Sequence, residues 1–308
     1  MSQAARPDQR ALPTAPTTRF APAPTGHLHL GHLANAAYVW GVARSSGGTV
    51  ILRIEDHDRQ RSRAAFERDL LDDLDALGLR PDRPSTDEIR SGPSSYRQSD
   101  RGPGYAAALA RLRERGLIYP CDCARSTFAA WADEHGTAFG GQGCPGGCRE
   151  RDLDDDGAIP LRIHLGGGEE RWVDLLLGPM SDSPTRAGDP LARDRHGNWT
   201  YGFCVVVDDL EQGIDLVVRG RDLLDATAGQ LRLARLLGRE AAPMFLHHPL
   251  IRKPSGSKLS KADADTSVRS LLAGGRTPAE LFGEAAAAVG LLDAPRPVPV
   301  DALSALFA

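Results

Sequence analysis

The sequence predicts an α/β protein built on a doubly wound, mostly parallel sheet, and three stretches carry that prediction. From Thr17 to Ala21 a short strand runs into turn chemistry at Pro22 to Gly26, and Gly31 to Arg44 is apolar enough to form a helix. Gly47 and Gly48 then turn the chain into TVILRIEDHD, whose β-branched run is that of a strand buried on both faces. Far downstream, Trp199 to Val207 and Ile214 to Val218 are β-branched runs that return the chain to the same sheet. A helix through Leu237 follows them.

The remaining elements follow from local signals. The opening MSQAARPDQRALPTAPTTRF lacks an apolar run of signal-peptide length and reads as a disordered leader to Thr17. Glu55, Asp56 and Asp58 emerge at the carboxyl end of the second strand, where ligands bind in such sheets. For Asp56 and Asp58 the simpler expectation is that they cap the next helix. That helix, Ser62 to Leu77, carries Phe66, Leu70, Leu71, Leu74 and Leu77 at helical spacing and stops at Gly78. Ser99 to Arg115 reads as another helix. Its arginines, with Arg97 and Arg101 at its start, serve either RNA phosphates or a solvated face. Ile159 to Leu177 reads as short strands of a small β-rich insert, with a turn at Gly166 to Gly168, and helical segments after Thr277 finish the chain.

Composition narrows the function. The chain has 308 residues, 41% hydrophobic and 25% charged, with a net charge of −4. No global basic field marks it for nucleic acid, so any such binding uses local patches, and no run approaches a membrane span, so a cytoplasmic protein is expected; a monomer is the accompanying expectation, which the sequence itself does not decide. Of 37 basic residues three are lysine, and Lys253, Lys258 and Lys261 fall together in one loop. In a chain that otherwise uses arginine, this points to a site that wants a compact, mobile ammonium and rejects the rigid guanidinium fork, the alternative being a chance cluster in an exposed loop.

Two groups of residues carry chemistry. In RFAPAPTGHLHLGHL, His29 and His32 sit where a strand hands over to a helix, so backbone N–H groups and the positive helix end face the same place. Gly26 and Gly31 let a nucleotide approach the backbone, and imidazoles donate hydrogen bonds to phosphate oxygens. The second group is Cys121, Cys123, Cys144 and Cys148, in the pattern CxC, twenty residues, CxxxC. Two close pairs flanked by Gly and Pro read as one structural, tetrahedral Zn²⁺ site, since four thiolates leave no open position. Cys204 lies in an apolar run and reads as a buried thiol. Tyr201 and Arg219 sit at the edges of apolar runs, where each faces either a ligand or solvent.

HLGH at His29 to His32 and KLSK at Lys258 to Lys261, in this order, resemble the HIGH and KMSKS signatures of class I aminoacyl-tRNA synthetases, whose catalytic core is a Rossmann-type sheet. RFAPAPTGHLHLGHL, RIEDHD, YGFCVVVDD and LVVRGRDLL resemble the glutamyl branch. A discriminating glutamyl-tRNA synthetase continues well beyond KMSKS into a helical anticodon-binding region, whereas 47 residues follow Lys261 here. Together with the CxC insert, this is similar to the glutamyl-queuosine tRNA(Asp) synthetase family. That family attaches activated glutamate to the queuosine base in the anticodon loop of tRNA(Asp).

The resemblance implies domains at 18–116 and 196–247 for the two halves of the catalytic core, 117–195 for the zinc-binding insertion, and 248–308 for the KLSK loop and helical end. It implies ATP with Mg²⁺ as substrate, held by Pro24, Gly26, His29, Gly31, His32 and Lys261, with His29, His32, Lys258 and Lys261 catalytic. L-glutamate would lie against Arg19, Phe20, Ala21, Pro22, Ala23, Glu55, Tyr201 and Arg219. Cys144 stands where the family commonly offers a tyrosine. Two other readings are a truncated glutamyl-tRNA synthetase charging a 3′ end and a non-catalytic zinc-containing RNA-binding paralogue.

Overall fold

A computed structural model describes residues 6–124, 126, 127, 130, 143–151, 153–155, 157–251 and 267–307. Lys253, Lys258 and Lys261 lie outside the described residues. Strand β1 (Thr17–Phe20) pairs in parallel with β2 (Thr49–Leu52), from Thr17 opposite Thr49 to Phe20 opposite Leu52. Helix α1 (Leu30–Ser45) connects them. Strand β8 (Leu216–Gly220) pairs in parallel with β9 (Met244–His248), and β9 with β5 (Glu170–Asp174), which pairs antiparallel with β6 (Gly178–Asp182). The Asp215 N–H donates to the Thr17 carbonyl at 3.1 Å, so β1 lies beside β8 and the two groups of strands adjoin. A separate antiparallel sheet joins β3 (Ile118–Pro120), β4 (Leu161–Ile163) and β7 (Leu191–Arg193). The α/β class with a parallel sheet at its centre is thus as the sequence predicts.

Helix α1 is buried from Ala36 through Ala43 on every side. A helix apolar all round must be covered all round. One side packs on β1, β2 and β8, and the other is covered by α7 (Pro278–Ala288) and a 3₁₀ turn at Val300–Leu306. Leu281, Phe282, Ala285, Leu303 and Phe307 therefore belong to the same core as Tyr38 and Val39. Helix α2 (Ala64–Leu77) buries Leu70, Leu71, Leu74 and Leu77, and ends on Gly78 at φ 74°, the left-handed cap that glycine adopts without a Cβ clash.

Four expectations change. Trp199 to Val207 is not a strand: Tyr201–Glu211 forms helix α5. The β-branched Val205 to Val207 favour a strand locally, but helical spacing stacks Tyr201, Cys204, Val205 and Asp208 one above another. Packing against α4 (Gly102–Glu114) and α6 (Thr227–Leu236) overrides propensity. Strand β5, expected within the insert, pairs with β9 and so lies in the larger sheet. Neither Asp56 nor Asp58 caps α2, whose N-cap is Arg63 without a side-chain bond. Asp56 accepts from the Ser99 N–H, and Asp58 from the N–H groups of Gln60 and Arg61. The leader is not loose where it is described: Arg6 donates to the Leu291 carbonyl, Ala15 to that of Ser46, and Leu12 packs on the core. The arginines near α4 are also partly committed, Arg97 to Glu67 and Asp100, Arg101 to Asp208 and Glu211, Arg113 to Asp155.

Candidate active site

A cavity of about 630 Å³ opens at the carboxyl ends of β1, β2, β8 and β9. It is lined by Arg19, Phe20, Ala21, Pro22, Ala23, His29, Gly31, His32, Glu55, Tyr201 and Arg219, residues singled out in the sequence. Two others do not line it. Pro24 and Gly26 are buried in the turn, where the Pro24 carbonyl accepts from the Arg63 N–H.

One end is made by a single contiguous segment. His29 is the N-cap of α1, and its Nδ1 accepts from the Gly31 N–H at 3.1 Å. His32, at the third helical position, accepts the His29 N–H on its own Nδ1, also at 3.1 Å. This is a capping box made of two imidazoles. In a neutral ring an accepting Nδ1 leaves the proton on Nε2, so both rings are donors, tilted against each other with centroids 4.0 Å apart at the positive end of the helix. A Cβ at residue 31 would come within 2.8 Å of the His29 ring, so Gly31 makes room for the cap.

The other end is a network of buried charge drawn from distant segments. Arg53, fully buried, donates to Asp209 at 2.7 Å and to Glu55 at 3.0 Å. Arg19 donates to the same Asp209 at 3.0 Å and to the Val218 carbonyl. Burial alone would raise the Asp209 pKa, but the two guanidiniums outweigh it and hold the carboxyl below its ordinary range. Glu55 is raised, because its burial exceeds the pull of Arg53 and Arg19. Arg219 is fixed at three atoms: Nε donates to His247 Nε2 at 3.0 Å, and the two terminal nitrogens to Gln230 and Thr227. His247 is in turn held by Asp174 at 2.6 Å. Burial lowers the Arg219 pKa, and burial beside Glu55 raises that of Tyr201, which keeps the phenol a neutral donor. The cavity thus offers two donors at a helix end, facing a pocket walled by two arginines, a phenol and a carboxylate.

The cysteines form a separate centre. The Sγ atoms of Cys121, Cys123, Cys144 and Cys148 all lie within 4.8 Å of one another, a set that could hold one metal ion. Arg162 Nε donates to Cys121 Sγ at 3.0 Å, and the Gly146 N–H to Cys144 Sγ at 3.4 Å. Burial pushes the Cys148 thiol up to about 11 and Cys123 higher, so these thiols ionise only where a cation compensates them. Cys204 is a buried thiol on α5, as expected.

Sequence reasoning missed Arg53, Asp209, Asp208, His57, His248 and the Asp174–His247 pair. Arg53 carried a signal, an arginine inside an otherwise apolar run. The Asp208–Asp209 pair closing YGFCVVVDD carried another.

Comparison with known proteins gives a consistent result. Residues 16–282 match the family model described as tRNA synthetases class I (E and Q), catalytic domain. A protein of Symbiobacterium thermophilum named Glutamyl-Q tRNA(Asp) synthetase is 40% identical, over 94% of this chain and 91% of its own. One of Syntrophus aciditrophicus named Glutamate--tRNA ligase 2 is 39% identical over 87% of this chain and 56% of its own. A crystal structure of a glutamate tRNA ligase from Elizabethkingia meningosepticum, in complex with its amino acid, superposes with a TM-score of 0.75 at 26% identity. It takes in 94% of this chain and 64% of that one.

Proposed function

The chain belongs to the class I tRNA synthetases of the E and Q type, and from that premise we propose that it activates L-glutamate with ATP and transfers it to the queuosine base of tRNA(Asp). The observation that carries the choice of acceptor is the likeness to a glutamyl-Q tRNA(Asp) synthetase over nine-tenths of both chains. The enzyme works as a cytoplasmic monomer, and among the described residues no helix is long and apolar enough to cross a membrane.

Activation joins the α-carboxylate of glutamate to the α-phosphorus of ATP and releases pyrophosphate. The attacking group is already an anion, so the protein must align it and offset phosphate charge rather than remove a proton. His29 and His32, each a donor at Nε2 beside the N-terminus of α1, hydrogen-bond the phosphate oxygens, with Gly31 permitting close approach. Lys261, helped by Lys258, meets the charge that passes to pyrophosphate, and Mg²⁺ is carried with ATP. Pro24 and Gly26 act from beneath as the buried floor of the turn. Arg19 and Arg219, locked by Asp209 and His247, form an anionic-side-chain pocket with Tyr201 donating, while Glu55 takes the α-ammonium, whose charge favours its ionised form. Phe20 to Ala23 form the wall at the end of β1.

The cysteine cluster holds a structural zinc ion. Tetrahedral Zn²⁺ with Zn–S bonds of about 2.3 Å sets sulfurs roughly 3.8 Å apart, a spacing that fits four Sγ atoms all within 4.8 Å of one another. Cys121→Ser should lower both the zinc content by elemental analysis and the melting temperature. Equal values for both proteins would remove the assignment.

The deciding experiment is transfer of labelled glutamate, with ATP, to bacterial tRNA that is intact or trimmed of its terminal adenosine. Label on trimmed tRNA supports queuosine modification. Label confined to intact tRNA makes the protein a 3′-end-charging synthetase. No label on either, with queuosine present and the protein folded, favours a binding module.

A further inference from the structure

The loop after β2 carries a histidine that neither the glutamate nor the nucleotide assignments use. His57 lines the cavity together with Glu55, Asp58 and Tyr201, its ring centroid 6.1 Å from that of Tyr201. Its Nδ1 lies 2.7 Å from Gln98 Oε1. Gln98 is buried, and its amide nitrogen donates to Asp208 Oδ2 at 2.8 Å. Asp208 is itself fully buried, accepts from Arg101 and Tyr105, and as a carboxylate can only accept.

The direction of this relay follows from its far end. The amide nitrogen must face the carboxylate, so the amide oxygen faces the imidazole, and the ring must bring its proton on Nδ1. A neutral His57 then carries its lone pair on Nε2, on the edge of a half-exposed ring away from Gln98. The other histidines of the cavity are committed differently. His29 and His32 accept at Nδ1 and so are protonated at Nε2, and His248 bonds the Pro249 carbonyl through one nitrogen and Asn35 through the other.

We infer that His57 is the proton acceptor of the transfer step, an assignment that rests on the acyl-transfer reading above. In that step an acceptor hydroxyl oxygen attacks the carbonyl carbon of the glutamyl adenylate, and its proton passes to His57 Nε2. The bond from that carbon to the phosphate oxygen breaks, and AMP leaves with the electron pair. The imidazolium then returns its proton to water. Activation needs no such base, because its nucleophile is a carboxylate, so the two steps respond differently to loss of the ring.

The test is His57→Asn, whose side-chain amide can still donate to Gln98 but has no basic nitrogen. Glutamate-dependent ATP–pyrophosphate exchange reads activation and reports that the variant is folded. Single-turnover transfer of labelled glutamate to queuosine-bearing tRNA(Asp) reads the second step. Exchange is expected near the wild-type rate, with transfer slower by about 10²-fold or more. Transfer at the wild-type rate, or exchange and transfer falling together, overturns the assignment. If wild-type protein labels only a 3′ end, the proposed acceptor is wrong, and the same ratio measured on that hydroxyl still decides His57. Wild-type protein without exchange overturns both.

Discussion

The two ends of the cavity are built by opposite means. The donor end, His29 to His32, is one turn of chain whose side chains bond its own backbone over two or three residues. The arginine end joins Arg19, Arg53, Asp209 and Val218, up to 199 residues apart in the chain. A short-range device can fail without unfolding the protein. A buried ionic network cannot, because removing one partner strands the others away from water.

The sharpest way to break this contrast is Asp209→Ala, which leaves Arg19 and Arg53 without their shared carboxylate. Stability should fall by about 3–5 kcal/mol in urea unfolding, with glutamate-dependent exchange abolished. A loss no greater than that of a surface substitution would mean the network is hydrated and the contrast empty. Next in size is His248, buried against Tyr38 at the cavity wall, whose pKa is lowered to about 4, chiefly by burial. The unfolded chain takes up that proton below about 6.5, so the contribution is complete above that pH and is lost as pH falls toward 4. At most it amounts to roughly 3 kcal/mol. Thermal melts from pH 7 to pH 4 should decline less steeply for His248→Gln than for wild type, and parallel curves would refute the point.

At the donor end, His32→Ala should slow exchange on the order of 10²-fold while the melting temperature moves little. A large thermal shift would show that this end also carries the fold. The smallest effect calibrates the rest. Ser85 caps the short helix α3 (Thr86–Arg90) with the same reciprocal box, paired with Glu88, and has no place in the cavity. Ser85→Ala should cost about 1 kcal/mol with unchanged exchange, which measures what such a cap contributes alone.

The same contrast explains what could be read in the sequence. His29, Gly31 and His32 were legible because their chemistry and their geometry are both local. The four cysteines were legible because a metal demands few residue types at short spacings. The network was not: Arg53 lay hidden in what reads as an apolar strand, and its partner Asp209 is aimed by a helix that β-branched valines disguise as a strand. Tyr201 could be placed at the edge of an element but not on the first turn of α5. The Asp174–His247 support of Arg219 depends on β5 meeting β9, a pairing set by topology rather than by any adjacent residue.

The imidazole box at the head of α1 gives one set of atoms two duties. Each Nδ1 lone pair that terminates the helix also dictates which nitrogen keeps the proton facing the cavity. An imidazolium has no lone pair left with which to cap, so the box as observed requires both rings in the neutral form protonated at Nε2. The first turn of α1 and the orientation of both ring N–H groups thereby stand or fall together: the bonds that close the helix are the bonds that aim the rings.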